Sequence, residues 1–285
     1  MIPLKEIVPW RKSAPWASDL MVEQDYLLSQ AVELIFRDPK LGTQLAMRGG
    51  TVLHKGHLAP ASRYSEDIDL VLVEPRRSHR GIEADLVQVL KPLLGKPSEA
   101  VIAWVTLFIR NLASKSKIAR LVYRYSPTDQ SGAIAALKVE VNLNETKSFY
   151  PLTQVLIDVP TPGGVAPTRI PVVSYDVNEM LGTKLRALLQ REHGRDLFDL
   201  WYAWHHCKQA GTNVIDPAKV GEAFRFYLKQ EGSQNFTQQD VRIELARRMQ
   251  SPKFLQDMNG FLPVGQQYDP VVAHAEFCDV FLPHI

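Results

Sequence analysis

The stretch RYSEDIDLVLVE, residues 63–74, decides how the fold of this 285-residue chain is interpreted. Asp67 and Asp69 flank an isoleucine, and the apolar run 70–73 follows at once. Such a run is typical of a strand that is buried on both faces. Carboxylates rarely enter a buried strand unless another group compensates their charge, so we expect the pair to have a partner.

The spacing of the two aspartates suits a metal site. Alternate residues of a strand project from the same face, with their Cα atoms about 6.6 Å apart. The oxygens of Asp67 and Asp69 can therefore converge on one or two Mg²⁺ ions, which prefer oxygen ligands and share them with phosphates. Glu140, in the alternating strand 137–143, is a candidate third ligand. Alternatively, Asp67 caps a strand end, Asp69 pairs with an arginine, and Glu140 lies on a solvated face.

The segment RGGT, residues 48–51, lies upstream between a short apolar strand and a helical segment. Glycine lets the backbone approach a phosphate, and a threonine hydroxyl and the amides of a helix N-terminus can donate to it. A glycine pair alone is more often only a turn. Gly-Gly-Thr, then fifteen residues, then Asp-Ile-Asp entering an apolar strand is a much more specific pattern.

The sequence MRGGTVLHKGHL…RYSEDIDLVLV resembles the AbiEii-type nucleotidyltransferase family, the toxins of type IV toxin–antitoxin systems. That family carries Gly-Ser/Thr followed by D-x-D, the signature of the polymerase-beta-like nucleotidyltransferase superfamily. The resemblance implies that Asp67 and Asp69 bind magnesium and that Glu140 is the third acidic residue. It also implies a nucleotide-binding set at the glycine turn and just before the D-x-D: Gly49, Gly50, Thr51, Arg63 and Ser65.

A second block, residues 175–204, offers an independent test. Asp176 and Glu179 have the spacing of a capping box, which predicts a helix that begins near Val177. On that helix Lys184 falls inside the apolar stripe, whereas Arg186 is expected to face water. A buried ammonium needs an anion, which can be a protein carboxylate or a bound phosphate.

Asp196 and Asp199 open the next helix and share one of its faces. They either cap the helix and pair with Lys184 or Arg195, or complete an active site. The AbiEii-type family carries an E-x-x-x-x-K helix followed by R-D-x-x-D, and residues 179–184 and 195–199 match it. The resemblance implies that Lys184 contacts nucleotide phosphates and that one aspartate completes the site. We favour Asp199, because Asp196 is better placed as a first-turn capping residue.

The bulk properties narrow the class of protein. A chain of 285 residues with 45% hydrophobic content can form one large domain or two ordinary ones. A net charge of +2 excludes a global positive field but allows a local basic groove. No run of about 18 apolar residues could span a membrane. The N-terminus lacks the apolar core of a signal peptide, so we expect Cys207 and Cys278 to be reduced thiols in a cytoplasmic protein.

The pattern of elements predicts an α+β fold. That pattern places a mixed α/β half over residues 1–174 and a helical half over 175–285. The resemblance implies that the first is a polymerase-beta-like nucleotidyltransferase domain with a mixed sheet, and that the second completes the active-site cleft. Residues 151–173, rich in Pro, Gly and Thr, are interpreted as a linker or flap. The other predicted elements are helices 18–36 and 79–94, strands 101–109, 117–125 and 137–143, and helices 177–191, 196–207, 217–230, 238–249 and 271–281.

We therefore expect a magnesium-dependent nucleotidyltransferase, with a two-ion site, that transfers a nucleoside monophosphate from a nucleoside triphosphate to a hydroxyl. The resemblance makes a tRNA 3′ end the acceptor, a cognate antitoxin the protein partner, and growth inhibition the outcome. Two alternatives remain open: the same chemistry on a protein or small-molecule hydroxyl, and a degenerate, non-catalytic interaction module. The presence of both D-x-D carboxylates and of Lys184 argues against the module.

Overall fold

The structure, a computed structural model, describes residues 2–73, 78–94, 106–109, 118–128, 134–163, 165–230 and 236–285. The chain divides into two compact units. Unit 1 comprises Met1–Lys147 and Leu152–Ser174, and unit 2 comprises Ser148–Pro151 and Tyr175–Ile285. The short segment Ser148–Pro151 thus belongs to unit 2, although residues on both sides of it belong to unit 1.

Unit 1 is built on a seven-stranded mixed sheet in the order β3-β4-β5-β2-β1-β7-β6. Strand β2 pairs in parallel with β5, and β1 pairs in parallel with β7, while the other neighbours are antiparallel. The strands are β1 Leu45–Arg48, β2 Asp67–Leu72, β3 Thr106–Ile109, β4 Ile118–Tyr125, β5 Ala135–Asn142, β6 Thr153–Thr161 and β7 Val165–Ser174. The mixed sheet is therefore confirmed, and it places the D-x-D strand β2 at its centre.

The pleat of the sheet separates an apolar face from a polar one. Along β5, Leu137, Val139 and Val141 are fully buried, while Lys138 and Glu140 between them are partly exposed. The helices α2 (Asp19–Arg37) and α5 (His79–Leu94) pack against the sheet, as their contacts with its strands indicate. Burial of the apolar face of the sheet is the main stabilising contribution to the folding of unit 1.

Helix α2 carries a buried carboxylate with a complete set of partners. Its N-cap Ser18 accepts a hydrogen bond from a first-turn amide, which fixes where the helix begins. About two turns after this cap, Asp25 accepts hydrogen bonds from the indole groups of Trp10, at 2.9 Å, and Trp16, at 3.1 Å. The Lys55 ammonium lies 2.7 Å from the same carboxylate. This cluster joins α1 (Leu4–Trp10) and the π-helical turn Leu53–His57 to α2, so both tryptophans are structural.

The interpretation of residues 151–173 as a linker or flap is wrong. They form most of an antiparallel hairpin, β6 and β7, that belongs to the main sheet. The Pro- and Gly-rich stretch within them includes the turn of the hairpin, where Gly163 has a φ of 85°. Valine, isoleucine and threonine on either side supply the strand residues, so composition alone marked the turn and hid the strands.

Two further details of the sheet differ from the prediction. Strand β3 begins at Thr106, and residues 101–105 of the predicted strand 101–109 lie outside the described residues. Two short helices flank β1, namely α3 (Leu41–Gln44) and α4 (Gly49–Val52). Helix α4 begins at the glycine pair, so the predicted glycine turn is also the first turn of a helix.

Unit 2 is helical in its described residues, and all five predicted helices are present within a few residues of their expected ends. A short helix near residue 254 was not predicted. The helices are α6 Val177–Gln190, α7 Gly194–Gln209, α8 Pro217–Gln230, α9 Gln238–Arg248, α10 Pro252–Gln256 and α11 Pro270–Val280. Cys207 is buried and Cys278 partly exposed, and both are free thiols. Within the described residues no helix is long and apolar enough to cross a bilayer.

Helix α6 does begin at Val177, but the capping box is only half present. Asp176 accepts a hydrogen bond from the Asn178 amide, at 2.8 Å, as an N-cap should. The Glu179 carboxylate instead accepts the amides of Phe149 and Tyr150, at 2.7 and 2.8 Å, and the hydroxyl of Tyr227 at 2.6 Å. Glu179 therefore anchors Ser148–Pro151 to the helices, which explains why this segment belongs to unit 2.

Glu179 should give the stability of the protein a specific pH dependence. Burial raises the pKa of Glu179 above its ordinary 4.5, and the three hydrogen bonds offset this only in part. Between 4.5 and the raised pKa the folded protein binds more protons than the unfolded chain, so this contribution to the free energy of unfolding falls as pH rises. We expect Glu179→Gln to lose that slope. Denaturant titrations of both proteins from pH 4 upward measure it, and parallel curves would contradict the prediction.

Candidate active site

The two D-x-D carboxylates lie on the polar face of the sheet. Asp67 and Asp69 are both partly exposed, whereas Ile68 between them is fully buried. Across the parallel pairing of β2 with β5, Lys138 lies opposite Asp67 and Glu140 lies opposite Asp69. On β5 the residues opposite the two aspartates are therefore one cation and one further acid, and on β1 Arg48 lies opposite Asp69.

Basic side chains accompany the acids on this face. The Lys138 Nζ lies 3.2 Å from Asp67 Oδ1, and the Arg120 Nε lies 2.6 Å from Glu140 Oε1. Arg120 is also opposite Glu140 in the pairing of β4 with β5. Although the ammonium is close to it, Asp67 Oδ1 is buried and accepts no hydrogen bond from the residues that the structure describes. The face thus carries alternating charge rather than a bare cluster of carboxylates.

The glycine turn packs directly against the D-x-D strand. Gly49 has a φ of 84°, a left-handed conformation that L side chains rarely adopt. A Cβ atom there would lie 2.9 Å from Asp69 Cβ and would overlap its carboxylate. At Gly50 a Cβ atom would lie 2.7 Å from Arg63 Nη2 and 3.0 Å from Ser65 Oγ. Gly49 is therefore required by its backbone conformation and by the close approach of Asp69, whereas an added Cβ at Gly50 would have to displace the Arg63 guanidinium. Arg63 and Ser65 lie beside the turn.

Thr51 ties the turn to the start of β2. Its Oγ1 lies 2.8 Å from Ser65 Oγ and 2.7 Å from the carbonyl oxygen of Asp67, and the residue is almost fully buried. Arg63 is buried as well, and its guanidinium donates to the carbonyl of Tyr64 at 2.9 Å. The structure therefore brings together Gly49, Gly50, Thr51, Arg63, Ser65, Asp67 and Asp69. That any of them binds a nucleotide stays a prediction.

Substituting alanine at Gly49 should impair the reaction more than the fold. The left-handed backbone costs roughly 1–2 kcal/mol for any L residue, and the added methyl group must also displace the Asp69 carboxylate. We expect transfer activity to fall by about tenfold or more. Gly163→Ala is the matched control, because Gly163 has a φ of 85° and no described residue lies within 4 Å of an added Cβ. Equal activity of the two variants would contradict the prediction.

The donor set at β2 fits magnesium in its chemistry. Asp67 and Asp69 offer hard oxygen ligands on one face, and in the described part of the chain no donor bonds the buried Oδ1 of Asp67. Within the described residues, however, no group of three His, Cys, Asp or Glu side chains is placed to hold a metal ion. The Glu140 carboxylate forms an ion pair with Arg120. Its assignment as third ligand stays a prediction.

The predicted second half of the site forms a buried ion cluster in unit 2. The Lys184 Nζ lies 2.7 Å from Asp199 Oδ2 and 3.5 Å from Asp196 Oδ1. Both aspartates are fully buried, and Arg191 donates to Asp196 through Nε at 2.8 Å and Nη2 at 2.9 Å. Lys184 is thus buried in the apolar stripe, and protein carboxylates supply the anion that it needs. A contact with nucleotide phosphates stays a prediction.

Two arginines near this cluster differ from expectation. Arg186, predicted to face water, is buried, with its guanidinium carbon 5.1 Å from the centre of the Tyr227 ring. The prediction from helical periodicity was wrong for Arg186 because α8 packs beside α6 and covers that side of the helix. Arg195, a possible partner of the two aspartates, instead lies 3.7 Å from Asp257.

Arg248 is a structural residue that the sequence analysis missed. It lies at the end of α9, is almost fully buried, and donates to the carbonyl of Leu189 at 2.7 Å. It also donates to the carbonyls of Leu188 and Arg191. Arg248 therefore caps the C-terminus of α6, the helix that carries Lys184, and fixes the backbone of Arg191. The basic residues around Arg248 do not indicate this role in the sequence, because the carbonyl groups that it binds are distant along the chain.

The structure thus combines a mixed sheet, a glycine turn against a central D-x-D strand, and a helical unit, as the sequence predicted. The family model described as "Nucleotidyl transferase AbiEii toxin, Type IV TA system" matches residues 33–277. The chain therefore belongs to the AbiEii family of nucleotidyltransferase toxins.

The fold is also similar to that of a solved structure. This is MenT4, described as the nucleotidyltransferase toxin Rv2826c from Mycobacterium tuberculosis H37Rv, with a TM-score of 0.65 and 16% sequence identity. The match covers 98% of this chain and 89% of that chain. No curated protein sequence matches the chain. At this identity the likeness supports the fold, and the family match supports the class of enzyme.

Proposed function

We propose that this toxin is a magnesium-dependent enzyme that transfers a nucleoside monophosphate from a nucleoside triphosphate to the 3′ end of tRNA. The observation that carries the proposal is the packing of Gly49 against Asp69, with Thr51 bonded to the start of the same strand. This packing supports a shared phosphate and metal site, because it brings a glycine-opened backbone beside two carboxylates on one face.

In this proposal Asp67 and Asp69 would hold the metal, and Glu140, now paired with Arg120, would be the third ligand. Magnesium, when bound, neutralises charge on the triphosphate and favours the ionised form of the attacking hydroxyl. The backbone of Gly49 and Gly50 approaches the phosphates, and Thr51 keeps the turn in register with β2. These residues act by positioning and by charge, which supply most of the rate in phosphoryl transfer.

The role proposed for unit 2 is to supply a fixed cation. Lys184 carries three N–H donors, and two carboxylates contact its ammonium group. A remaining donor can bind a phosphate oxygen without breaking the buried pair with Asp199. In this proposal Lys184 contacts the nucleotide, Asp199 holds the ammonium in place, and Asp196 is held by Arg191.

Labelled nucleotides test both the reaction and the acceptor. The protein is incubated with each of four α-³²P-labelled triphosphates and Mg²⁺, together with total tRNA, with a protein fraction, or alone. We expect label on tRNA, lost after EDTA and lost when the tRNA 3′ end is first oxidised with periodate. Label only on protein or on a small molecule would replace the tRNA acceptor but keep the chemistry. No label on any acceptor, with no Mg²⁺-dependent nucleotide binding, would favour the non-catalytic module.

Membership of the family supports a cognate antitoxin as the protein partner. The two proposed substrates, a nucleoside triphosphate and tRNA, are found in the cytoplasm. The proposal therefore includes a cytoplasmic toxin that inhibits growth unless its antitoxin is present. Induced expression with and without the adjacent gene, scored as colony formation, measures this. Equal growth in both cases, with the toxin detected, would contradict the toxin role.

A further inference from the structure

We propose that Lys138 is an exchangeable counter-ion of the D-x-D site. It holds the Asp67 carboxylate while no divalent cation is bound, and it transfers its ammonium to a phosphate group when one binds. The inference rests on the proposed function and adds a positioning residue that couples metal binding to phosphate binding.

The first step is the placement of Lys138. It lies directly opposite Asp67 on the neighbouring parallel strand, two residues before Glu140, so all three side chains share the polar face. Its Nζ is 3.2 Å from Asp67 Oδ1. A cation at that oxygen would meet the ammonium at once, so the two positive charges compete for the same carboxylate.

The second step is that this contact is easily broken. The Asp67 oxygen accepts no hydrogen bond from the ammonium, and the two side chains are 35% and 40% exposed. A pair of this kind contributes little to stability. The Lys184–Asp199 pair is the contrasting case, since its atoms are 2.7 Å apart and its side chains are 9% and 0% exposed. One lysine is fixed by burial, and the other is free to exchange partners.

The third step is the choice of Lys138 over Arg120. The Arg120 Nε is 2.6 Å from Glu140, and both side chains are more buried than those of the Lys138 pair. Arg120 Nε also makes no hydrogen bond to a described residue, so its firmer hold on Glu140 rests on the shorter distance and the greater burial. Lys138 has a long flexible stem, and once a divalent cation takes Asp67 its ammonium is repelled and must find another anion. At a nucleotidyltransferase site the anion at hand is a phosphate group.

This exchange predicts a measurable coupling. Displacing Lys138 weakens the binding of the metal alone, and a phosphate that receives the ammonium recovers part of that cost. Metal and phosphate should therefore bind more tightly together than separately, and each should raise the affinity of the other by the same factor. Removing the lysine should make metal binding alone tighter and should reduce the coupling.

The experiment measures Mn²⁺ binding by the EPR signal of the free ion, with and without a non-hydrolysable nucleoside triphosphate analogue. A second arm replaces the analogue with a short RNA that carries no triphosphate. We expect Lys138→Met to bind Mn²⁺ alone about threefold to tenfold more tightly than the wild type. We expect its coupling factor to fall by a similar amount, and Lys138→Arg to stay close to the wild type.

Arg169→Met is the matched control. It removes one cation from another cross-strand pair of unit 1, between Arg169 and Asp158, and changes the net charge equally. We expect it to leave both Mn²⁺ binding and coupling unchanged. If Mn²⁺ binding is coupled to binding of the analogue, the phosphate that receives the Lys138 ammonium belongs to the nucleotide. If it is coupled only to binding of the RNA, that phosphate belongs to the backbone of the acceptor.

The outcomes separate this inference from the function on which it rests. If the wild type binds Mn²⁺ but Lys138→Met leaves affinity and coupling unchanged, or binds Mn²⁺ more weakly, the role of Lys138 is overturned and the proposed function stands. If Arg169→Met has the same effect as Lys138→Met, general charge explains the result and the role is overturned. If the folded wild type binds neither Mn²⁺ nor nucleotide, both proposals fail.

Discussion

Replacing Asp67 or Asp69 with asparagine should abolish nucleotidyl transfer while leaving the protein folded. Asparagine has the shape of aspartate but lacks the charge that a hard divalent cation needs, so we expect the rate to fall by at least about 10³-fold. Both side chains are partly exposed and lie on the polar face of the sheet, so neither substitution creates a cavity. Single-turnover transfer of labelled nucleotide measures the loss.

The free energy of unfolding of the two asparagine variants is a second measurement that checks this prediction. Repulsion between the two carboxylates and attraction to nearby cations such as Lys138 act in opposite directions, so either single substitution should change the free energy of unfolding little. Asp158→Asn, which neutralises an exposed carboxylate paired with Arg169 on the hairpin, serves as a control and should retain full activity. An active Asp67→Asn or Asp69→Asn protein would remove the D-x-D pair from the mechanism.

Replacing Lys184 with methionine should produce the opposite combination, a large loss of stability together with a loss of activity. The substitution removes the cation that lies 2.7 Å from the fully buried carboxylate of Asp199. Breaking a buried pair from one side costs about 3–5 kcal/mol. Chemical denaturation followed by circular dichroism measures the change, and Lys91→Met, at an exposed position on α5, should have no comparable effect.

The double variant Lys184→Met with Asp199→Asn separates structure from chemistry. It removes both charges of the pair, so we expect most of the lost free energy of unfolding to return. If Lys184 contacts the nucleotide, the refolded double variant should still be inactive and should bind the triphosphate more weakly. A stable double variant with wild-type activity would confine Lys184 to a structural role.

The sequence was most informative where function and local pattern coincide. The D-x-D pair could be identified from the sequence because its two charges interrupt an apolar strand. That strand lies at the centre of the sheet, as its hydrophobicity predicts. Lys184 was found for a related reason, since a charge inside an apolar helical stripe needs a partner. The close packing of Gly49 on Asp69 is also consistent with the glycine pair, whose left-handed turn few other residues allow.

Partners that are distant along the chain could not be found in this way. Glu179 has the spacing of a capping box, yet its carboxylate binds amides some thirty residues earlier and a hydroxyl 48 residues later. Arg248 looks like one of several basic residues on an exposed helix, yet it caps another helix. The hairpin at 153–174 was missed because turn residues dominate its composition. In each case the deciding contact is tertiary, and no local periodicity encodes it.

The path of the chain through Ser148–Pro151 bears on how the two halves could be inherited. A gene rearrangement that joined residues 175–285 to a different catalytic domain would leave behind the amides of Phe149 and Tyr150. The buried Glu179 would then keep only its bond from Tyr227, and each lost hydrogen bond to a charged group costs about 1.5–3 kcal/mol. Recombination near residue 174 is therefore penalised, and this architecture should descend as an indivisible pair rather than as interchangeable parts.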